Sequence, residues 1–173
     1  MVINHIHNKY PRANLYLVGF SMGAIQAIRW LGEHKDQTVV KGLVSISCPI
    51  DISKASPYLS QKRNWLYAKY MTKPLIRLAR SHEDLIKSKG IEIDYSEPPI
   101  TVDQVQSCTT PVEFDTHFSI KVLGYKTLQE FYEKCSCYDS FKNINIPTML
   151  ILSKNDPCFQ YSHITQTRLL SVA

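Results

Sequence analysis

The sequence predicts an α/β fold, in which a mainly parallel β-sheet carries helices on both faces and is interrupted by a helical insertion. Two observations support this prediction. Short runs that are apolar at successive positions, rather than alternating, are typical of strands buried on both faces of a parallel sheet. A helical repeat lies between the first two runs, and strand–helix–strand over about thirty residues is the βαβ unit of α/β folds.

The individual elements follow from the apolar pattern and the turn residues around it. The three segments with a strand pattern are residues 15–18, 39–47 and 148–152. Apolar residues at helical spacing predict a helix over 24–31, which Gly32 is expected to stop, and another over 127–135.

The chain is expected to form one domain, 1–173, whose middle departs from the strand–helix alternation. Residues 1–51 form the strand–helix–strand unit, residues 52–112 the insertion, and residues 113–173 a helix and the third strand. Apolar residues recur at helical spacing between Tyr58 and Ala79, and Pro74 is expected to bend this helix or to start a new one. The insertion therefore has the form of a lid or cap.

Positive charge is concentrated in this insertion. The segment from Lys54 to Arg80 holds seven basic residues and no acidic one, which exceeds the formal net charge of +5 for the whole chain. A solvated face is one interpretation, and contact with an anionic membrane surface or substrate is the other. No nucleic-acid-binding motif accompanies the charge, so no such partner is expected. Membrane contact would use Lys62, Arg63, Lys69, Lys73, Arg77 and Arg80.

Composition excludes several other classes of protein. Hydrophobic residues make up 44% of the chain and charged residues 20%, as in ordinary globular domains. No apolar run approaches the roughly 20 residues that span a bilayer. The five cysteines lack zinc-site spacing, so we expect no metal site. Their odd number favours a reducing compartment, either the cytoplasm or a membrane to which a segment outside this chain would attach the protein.

The sharpest motif is G-x-S-x-G, which occurs as Gly19-Phe20-Ser21-Met22-Gly23 between a predicted strand and a predicted helix. A sharp turn at this point strains the central residue and presents Ser21 Oγ as a nucleophile. Gly19 and Gly23 supply the small neighbours that such a turn needs. The Met22 N–H becomes one oxyanion-hole donor at the helix N-terminus. The alternative is a Gly-Ser turn that merely starts a helix.

A serine nucleophile needs a base and a carboxylate that orients the base. In folds with this strand–turn–helix motif the chain order is serine, then acid, then histidine. Asp156 is the first carboxylate after the third predicted strand, and we predict that it is the triad acid. The alternative for Asp156 is an ordinary Asp-Pro turn residue.

Several motifs together resemble the abhydrolase-domain lipase and esterase family of α/β hydrolases, the branch that includes the YheT-type bacterial hydrolases. The matching segments are Leu-Val-Gly-Phe-Ser-Met-Gly-Ala (17–24), Val-Ser-Ile-Ser-Cys-Pro-Ile-Asp (44–51), Glu-Phe-Asp (113–115), Gly-Tyr (124–125), Phe-Tyr-Glu-Lys-Cys-Ser (131–136) and Ile-Pro-Thr-Met-Leu-Ile-Leu-Ser-Lys-Asn-Asp-Pro (146–157). The resemblance implies a serine hydrolase that cleaves acyl esters of lipids through an acyl-enzyme, with Ser21 as nucleophile and Asp156 as acid. It implies no cofactor.

Two departures from the family pattern predict that the chain is an incomplete α/β hydrolase. The family's histidine follows a further strand past the acid, whereas His163 is the only histidine after Asp156 and is expected on a helix. The strands and oxyanion loop that precede the first helix in the family are also expected to lie outside this chain. The alternative function is therefore an inactive fragment, or a piece that binds lipid or protein without catalysis.

Overall fold

The computed structural model describes residues 2–35, 38–82 and 102–158. The strands are β1 (Leu15–Phe20), β2 (Val40–Ile46) and β3 (Thr148–Ile151). The α-helices are α1 (Val2–Lys9), α2 (Met22–His34), α3 (Ile52–Leu59), α4 (Trp65–Ser81), α5 (Val102–Ser107), α6 (Pro111–Phe114), α7 (Ile120–Leu123) and α8 (Leu128–Cys135). The described part also contains 3₁₀ turns at Lys62–Asn64 and Tyr138–Asn143 and a π-helical stretch at Asp115–Ser119.

The chain divides into two compact units, which we call the sheet unit and the helical unit. The sheet unit contains Met1–Asp51 and Ser136–Asp156, and the helical unit contains Ile52–Cys135. In the sheet unit the strand order is β1-β2-β3, and both strand pairs are parallel. All three predicted strands are therefore confirmed, and so is the predicted α/β class with a parallel sheet.

Helix α2 covers one face of the sheet through Ala24, Ile28 and Leu31, which are all buried. The prediction that Gly32 stops this helix is wrong, because α2 continues to His34. The residue instead allows a close contact with the 3₁₀ turn. A Cβ at Gly32 would lie 2.6 Å from the Ser140 carbonyl oxygen and 2.8 Å from Ser140 Cβ.

The other face of the sheet is apolar and open to solvent in the part of the chain that the structure describes. On β1 the outward residues are Tyr16, Val18 and Phe20, and Phe20 is 63% exposed. Met149 and Ile151 of β3 are exposed as well. Apolar residues on both faces are expected for the strands of a parallel sheet, which are normally covered on both sides.

The helical unit extends along the chain to Cys135, beyond the boundary at residue 112 that the sequence suggests. Helix α3 packs on both α6 and α8, and α4 packs against α6. One of its cores contains Ala79, Val105, Cys108 and Phe114. Helix α4 runs through Pro74 without interruption, so Pro74 does not begin a new helix.

The Glu-Phe-Asp motif has a structural part in this unit. Glu113 forms a capping box with Thr110 at the start of α6, and Phe114 is buried in the core. Asp115 Oδ1 accepts a hydrogen bond from the Ser119 hydroxyl at 2.7 Å, and its Oδ2 accepts one from the Tyr132 hydroxyl at 3.1 Å. Burial is the main cause that raises the pKa of the Asp115 carboxyl. The Tyr132 oxygen also lies 2.9 Å from Ser56 Oγ, so a polar chain links α3, the π-helical stretch and α8.

Candidate active site

Ser21 lies in the turn between β1 and α2, where the motif predicts a nucleophile. Its backbone has φ 48° and ψ −119°, a left-handed conformation that is unusual for a residue with a side chain. Although Ser21 occupies the N-cap position, no N–H of α2 is found to donate to its hydroxyl within the described residues. The turn is thus strained, and the Ser21 hydroxyl does not serve as a helix cap.

The two glycines of the motif differ in their surroundings. A Cβ at Gly19 would lie 2.6 Å from Ala24 Cα and 2.8 Å from Ala24 N. A Cβ at Gly23 would meet no atom within 4 Å in the described part of the chain outside the helix's own backbone. The steric requirement expected at both positions is therefore present only at Gly19, because α2 crosses the end of β1 at that residue.

The N-terminus of α2 points backbone donors toward the turn that holds Ser21. The Ser21 carbonyl already accepts from the N–H groups of Ala24 at 3.0 Å and Ile25 at 3.3 Å. The N–H groups of Met22 and Gly23 come before these two in the first turn of the helix. An N–H group at this position has no hydrogen-bond acceptor within its own helix. Met22 is exposed, and its N–H is the donor that the sequence assigns to an oxyanion.

Strand register places the ends of all three strands side by side. Phe20 pairs with Ile46, and Ile46 pairs with Ile151. The Ser21 N–H continues the ladder by donating to the Ile46 carbonyl at 2.9 Å, and the Ser47 N–H donates to the Ile151 carbonyl at the same distance. Ser21 and Ser47 thus occupy corresponding positions at the carboxyl edge, which is where parallel α/β sheets bind their ligands.

Ser47 is a feature that sequence reasoning missed. Its φ is also 48°, so a second strained serine ends the neighbouring strand. The sequence contains no signal for this conformation, because serine has no preference for positive φ and the surrounding residues form no known turn motif.

Asp156 follows β3 on the same edge of the sheet. Adjacent strands lie about 4.8 Å apart, so the ends of β1 and β3 are about 10 Å from each other. The segment after β3 turns at Lys154 and Asn155, where the Ser153 hydroxyl donates to Asn155 Oδ1 at 2.6 Å, and Asp156 is half-buried just beyond. The structure therefore brings Ser21 and Asp156 to one edge, whereas His163 lies outside the described residues.

The cysteines form no cluster with metal-binding geometry among the described residues. Cys48 and Cys137 are fully buried, and their sulfur atoms lie 3.8 Å apart. The hydrogen bond with Cys48, together with burial, raises the pKa of the Cys137 thiol. Both features keep this thiol protonated, as expected for an unreactive buried cysteine.

Helix α4 carries the basic residues that the sequence singles out. Its fully buried side chains are small, namely Ala68, Thr72 and Ala79, and Leu75 and Ile76 are half-buried against the core of the unit. Most of the other large apolar residues of the helix face solvent, with Tyr70 the most exposed at 75%. The exposed apolar residues are Trp65, Leu66, Tyr67, Tyr70, Met71 and Leu78.

The exposed side of α4 is divided into two stripes. Lys69, Lys73, Arg77 and Arg80 are spaced by four, four and three residues and so form one basic stripe. Tyr67, Met71 and Leu78 recur at helical spacing on the apolar stripe beside it. Among the described residues, no helix is long and apolar enough to cross a membrane.

The parallel sheet, the strained serine turn and the acid after β3 define the class of protein. The chain belongs to the alpha/beta hydrolase fold family, whose model matches residues 2–168. The family membership that the motifs suggest is thereby confirmed.

Curated relatives of the chain are lipases and phospholipases. Monoacylglycerol lipase of Saccharomyces cerevisiae is 24% identical over 90% of this chain and 34% of its own length. Phospholipase ABHD3 of Mus musculus is 28% identical over 94% of this chain and 37% of its own length. Monoacylglycerol lipase ABHD2 of Homo sapiens is 28% identical over 98% of this chain and 41% of its own length. The chain thus spans between 34% and 41% of the length of these relatives. No solved structure matches it.

Proposed function

We propose that this chain carries the nucleophile and the acid of a serine hydrolase that cleaves acyl esters of lipids. The observation that carries the proposal is the positive φ of Ser21 at a strand-to-helix turn, combined with the close approach of Ala24 to Gly19. This geometry is the one that presents a serine hydroxyl in hydrolases with the G-x-S-x-G motif. Lipid esters are the favoured substrates because the curated relatives are named as monoacylglycerol lipases and phospholipases.

The reaction would proceed in two acyl-transfer steps. Ser21 Oγ attacks the ester carbonyl while a histidine base, which the family resemblance implies, takes the hydroxyl proton. The carbonyl oxygen gains the negative charge and accepts a hydrogen bond from the Met22 N–H. The base then returns its proton to the departing alcohol, and water hydrolyses the acyl-enzyme to release the carboxylic acid. Asp156 would orient the base and stabilise its charged form.

Labelling with a fluorophosphonate tests whether Ser21 is an activated nucleophile. In a protein that contains this chain together with the histidine base that the family resemblance implies, the reagent should label Ser21, and Ser21→Ala should abolish the labelling because the attacking oxygen is gone. Ser47→Ala is the matched control, since Ser47 has the same φ and the same position at the end of the neighbouring strand. Wild-type protein that stays unlabelled, or labelling that survives Ser21→Ala, would contradict the proposal and favour a non-catalytic binding piece.

The role of Asp156 is tested by the rate of the same labelling reaction. In the same protein, with the implied histidine present, Asp156→Asn should slow labelling at Ser21 by several orders of magnitude, because a misoriented base removes a proton poorly; the loss in a well-studied triad is about 10⁴-fold. Asp139→Asn is the control, since Asp139 is exposed and pairs with Lys142 at 2.8 Å. Equal rates for both variants would leave Asp156 a turn residue.

Contact with an anionic membrane surface is the second part of the proposal. It is supported by the adjacent basic and apolar stripes on the exposed side of α4, the arrangement found in helices that lie in a membrane interface. The chain should float with vesicles of phosphatidylcholine that contain phosphatidylglycerol, and salt should weaken the binding. Equal binding to vesicles of phosphatidylcholine alone would contradict a role for the basic stripe.

A further inference from the structure

A groove in the helical unit is lined by lysine, tryptophan, threonine, serine and glutamine residues that the proposed hydrolysis does not use. It lies between the turn at Gln61 and Lys62, the first part of α4, and the threonines Thr109 and Thr110. Its volume is about 330 Å³, near the lower limit of cavities that hold small molecules. We call it the Lys62–Lys69 groove.

The positive charge of the groove comes from two lysines that flank a tryptophan. Lys62, Trp65 and Lys69 are spaced by three and four residues, so they lie along one side of the helix and the turn before it. Within the described ranges neither lysine forms an ion pair. Arg63 points elsewhere, since its guanidinium lies 4.7 Å from the centre of the Tyr58 ring.

The carboxylate beside the groove is already bound. Glu113 Oε2 accepts from the Thr109 N–H at 2.7 Å, from the Thr109 hydroxyl at 3.1 Å and from the Thr110 N–H at 3.3 Å. The Thr109 N–H bond is the main cause that lowers the pKa of the Glu113 carboxyl. Glu113 is therefore satisfied within its own capping box, and the lysine charges across the groove remain available for an anion.

We infer that the Lys62–Lys69 groove binds the phosphate of an anionic lipid headgroup while the protein lies on a membrane. Two ammonium groups complement a phosphate, and the Thr110 hydroxyl, which accepts from the Glu113 N–H at 3.2 Å, still has its own proton to donate. Trp65 is 62% exposed and amphipathic, a property that favours the membrane interface. An exposed indole beside the two lysines favours a headgroup at a membrane interface over a soluble phosphate ester.

The inference rests on the proposed membrane contact of α4, and paired variants separate the two. Lys62→Ala/Lys69→Ala removes the groove's charges, whereas Lys73→Ala/Arg77→Ala removes the same charge from α4 outside the groove. A diffuse attraction predicts equal losses of binding to phosphatidylglycerol vesicles, about 30-fold for either pair. Binding in the groove predicts that the Lys62/Lys69 pair loses at least tenfold more than the control pair in co-sedimentation.

Fluorescence of Trp65 gives a second measurement, in a Trp30→Phe background that leaves Trp65 as the only tryptophan. Phosphatidylglycerol vesicles should shift its emission to shorter wavelength in the control pair and not in the Lys62/Lys69 pair. Two results would overturn the proposal that the groove binds a headgroup: equal losses of vesicle binding in both pairs, or a Trp65 emission that does not change when vesicles bind. Either result would leave the proposed membrane contact of α4 standing. A wild-type chain that binds no vesicles would overturn both.

Soluble sn-glycerol 3-phosphate distinguishes a lipid from a free phosphate ester. At millimolar concentration it should leave the Trp65 emission unchanged, since no membrane then surrounds the indole. A shift caused by this compound alone, and lost in the Lys62/Lys69 pair, would overturn the membrane headgroup as the ligand. Fluorophosphonate labelling of Ser21 should be the same in all these variants, so failure of the hydrolase proposal is recognised separately.

Discussion

The strongest structural prediction concerns Gly19, where β1 meets the start of α2. In Gly19→Ala the new Cβ would lie 2.6 Å from Ala24 Cα and 3.0 Å from the Gly23 carbonyl oxygen. Carbon atoms in good contact are roughly 3.5–4.0 Å apart, so the overlap is about 1 Å. Each of these neighbours is a backbone atom, and no side-chain rotation can relieve the clash. We expect a loss of about 1–3 kcal/mol in the free energy of unfolding, the usual cost of overpacking.

Gly23→Ala is the matched control, since it adds the same methyl group four residues away in the same motif. Its Cβ would meet nothing within 4 Å among the described residues outside the helix backbone. Alanine also favours a helix over glycine, so this variant should gain up to about 1 kcal/mol. Urea unfolding measures both changes from the transition midpoint at constant slope. Two variants of equal stability, or a Gly23→Ala variant less stable than Gly19→Ala, would refute the steric reasoning.

Two further predictions concern the polar chain at Asp115 and the packing of α2. Burial raises the pKa of the Asp115 carboxyl in the folded protein. The stability that the protonated carboxyl contributes is therefore complete below the unfolded pKa of about 3.9, and it is lost as pH rises through the folded pKa. The stability difference between wild type and Asp115→Asn, measured by urea unfolding, should therefore fall with rising pH above about 4; a difference that is constant or grows would contradict this. Gly32→Ala should cost about 1–3 kcal/mol in the same assay, since its Cβ would lie 2.6 Å from the Ser140 carbonyl oxygen. Helix propensity alone predicts that Gly32→Ala gains about 1 kcal/mol in the free energy of unfolding. A variant more stable than wild type would therefore refute the close contact between Gly32 and Ser140.

Much of the sheet unit could be predicted because its signals are local. The three apolar runs form the three strands, and the residues around Ser21 form the strand-to-helix turn with the positive φ that the motif requires. Steric contacts between neighbouring residues determine such a turn, and the sequence shows the small residue that the turn needs, Gly19. The family assignment follows from the same motifs and is confirmed over residues 2–168.

The faces of α4 could not be read from the sequence. Helical periodicity locates the helix correctly, yet large apolar side chains such as Tyr70 face solvent and small ones such as Ala68 face the core. A close helix partner selects small residues, because they let the backbones approach. One partner here, α6, begins thirty residues after α4 ends. The same holds for Gly32, whose neighbour is the distant 3₁₀ turn.

The sequence by itself determined the class of fold, the strand order along the chain and the residues offered for catalysis, since each depends on neighbours a few positions apart. Only the tertiary structure decided what depends on distant partners. It aligned the ends of the strands so that Ser21 and Ser47 occupy matching positions, and it joined Ser56, Tyr132 and Asp115 in one polar chain. It also left the charged and aromatic side of α4 open to solvent. Contacts between residues far apart in the chain produce these features, and no local pattern encodes them.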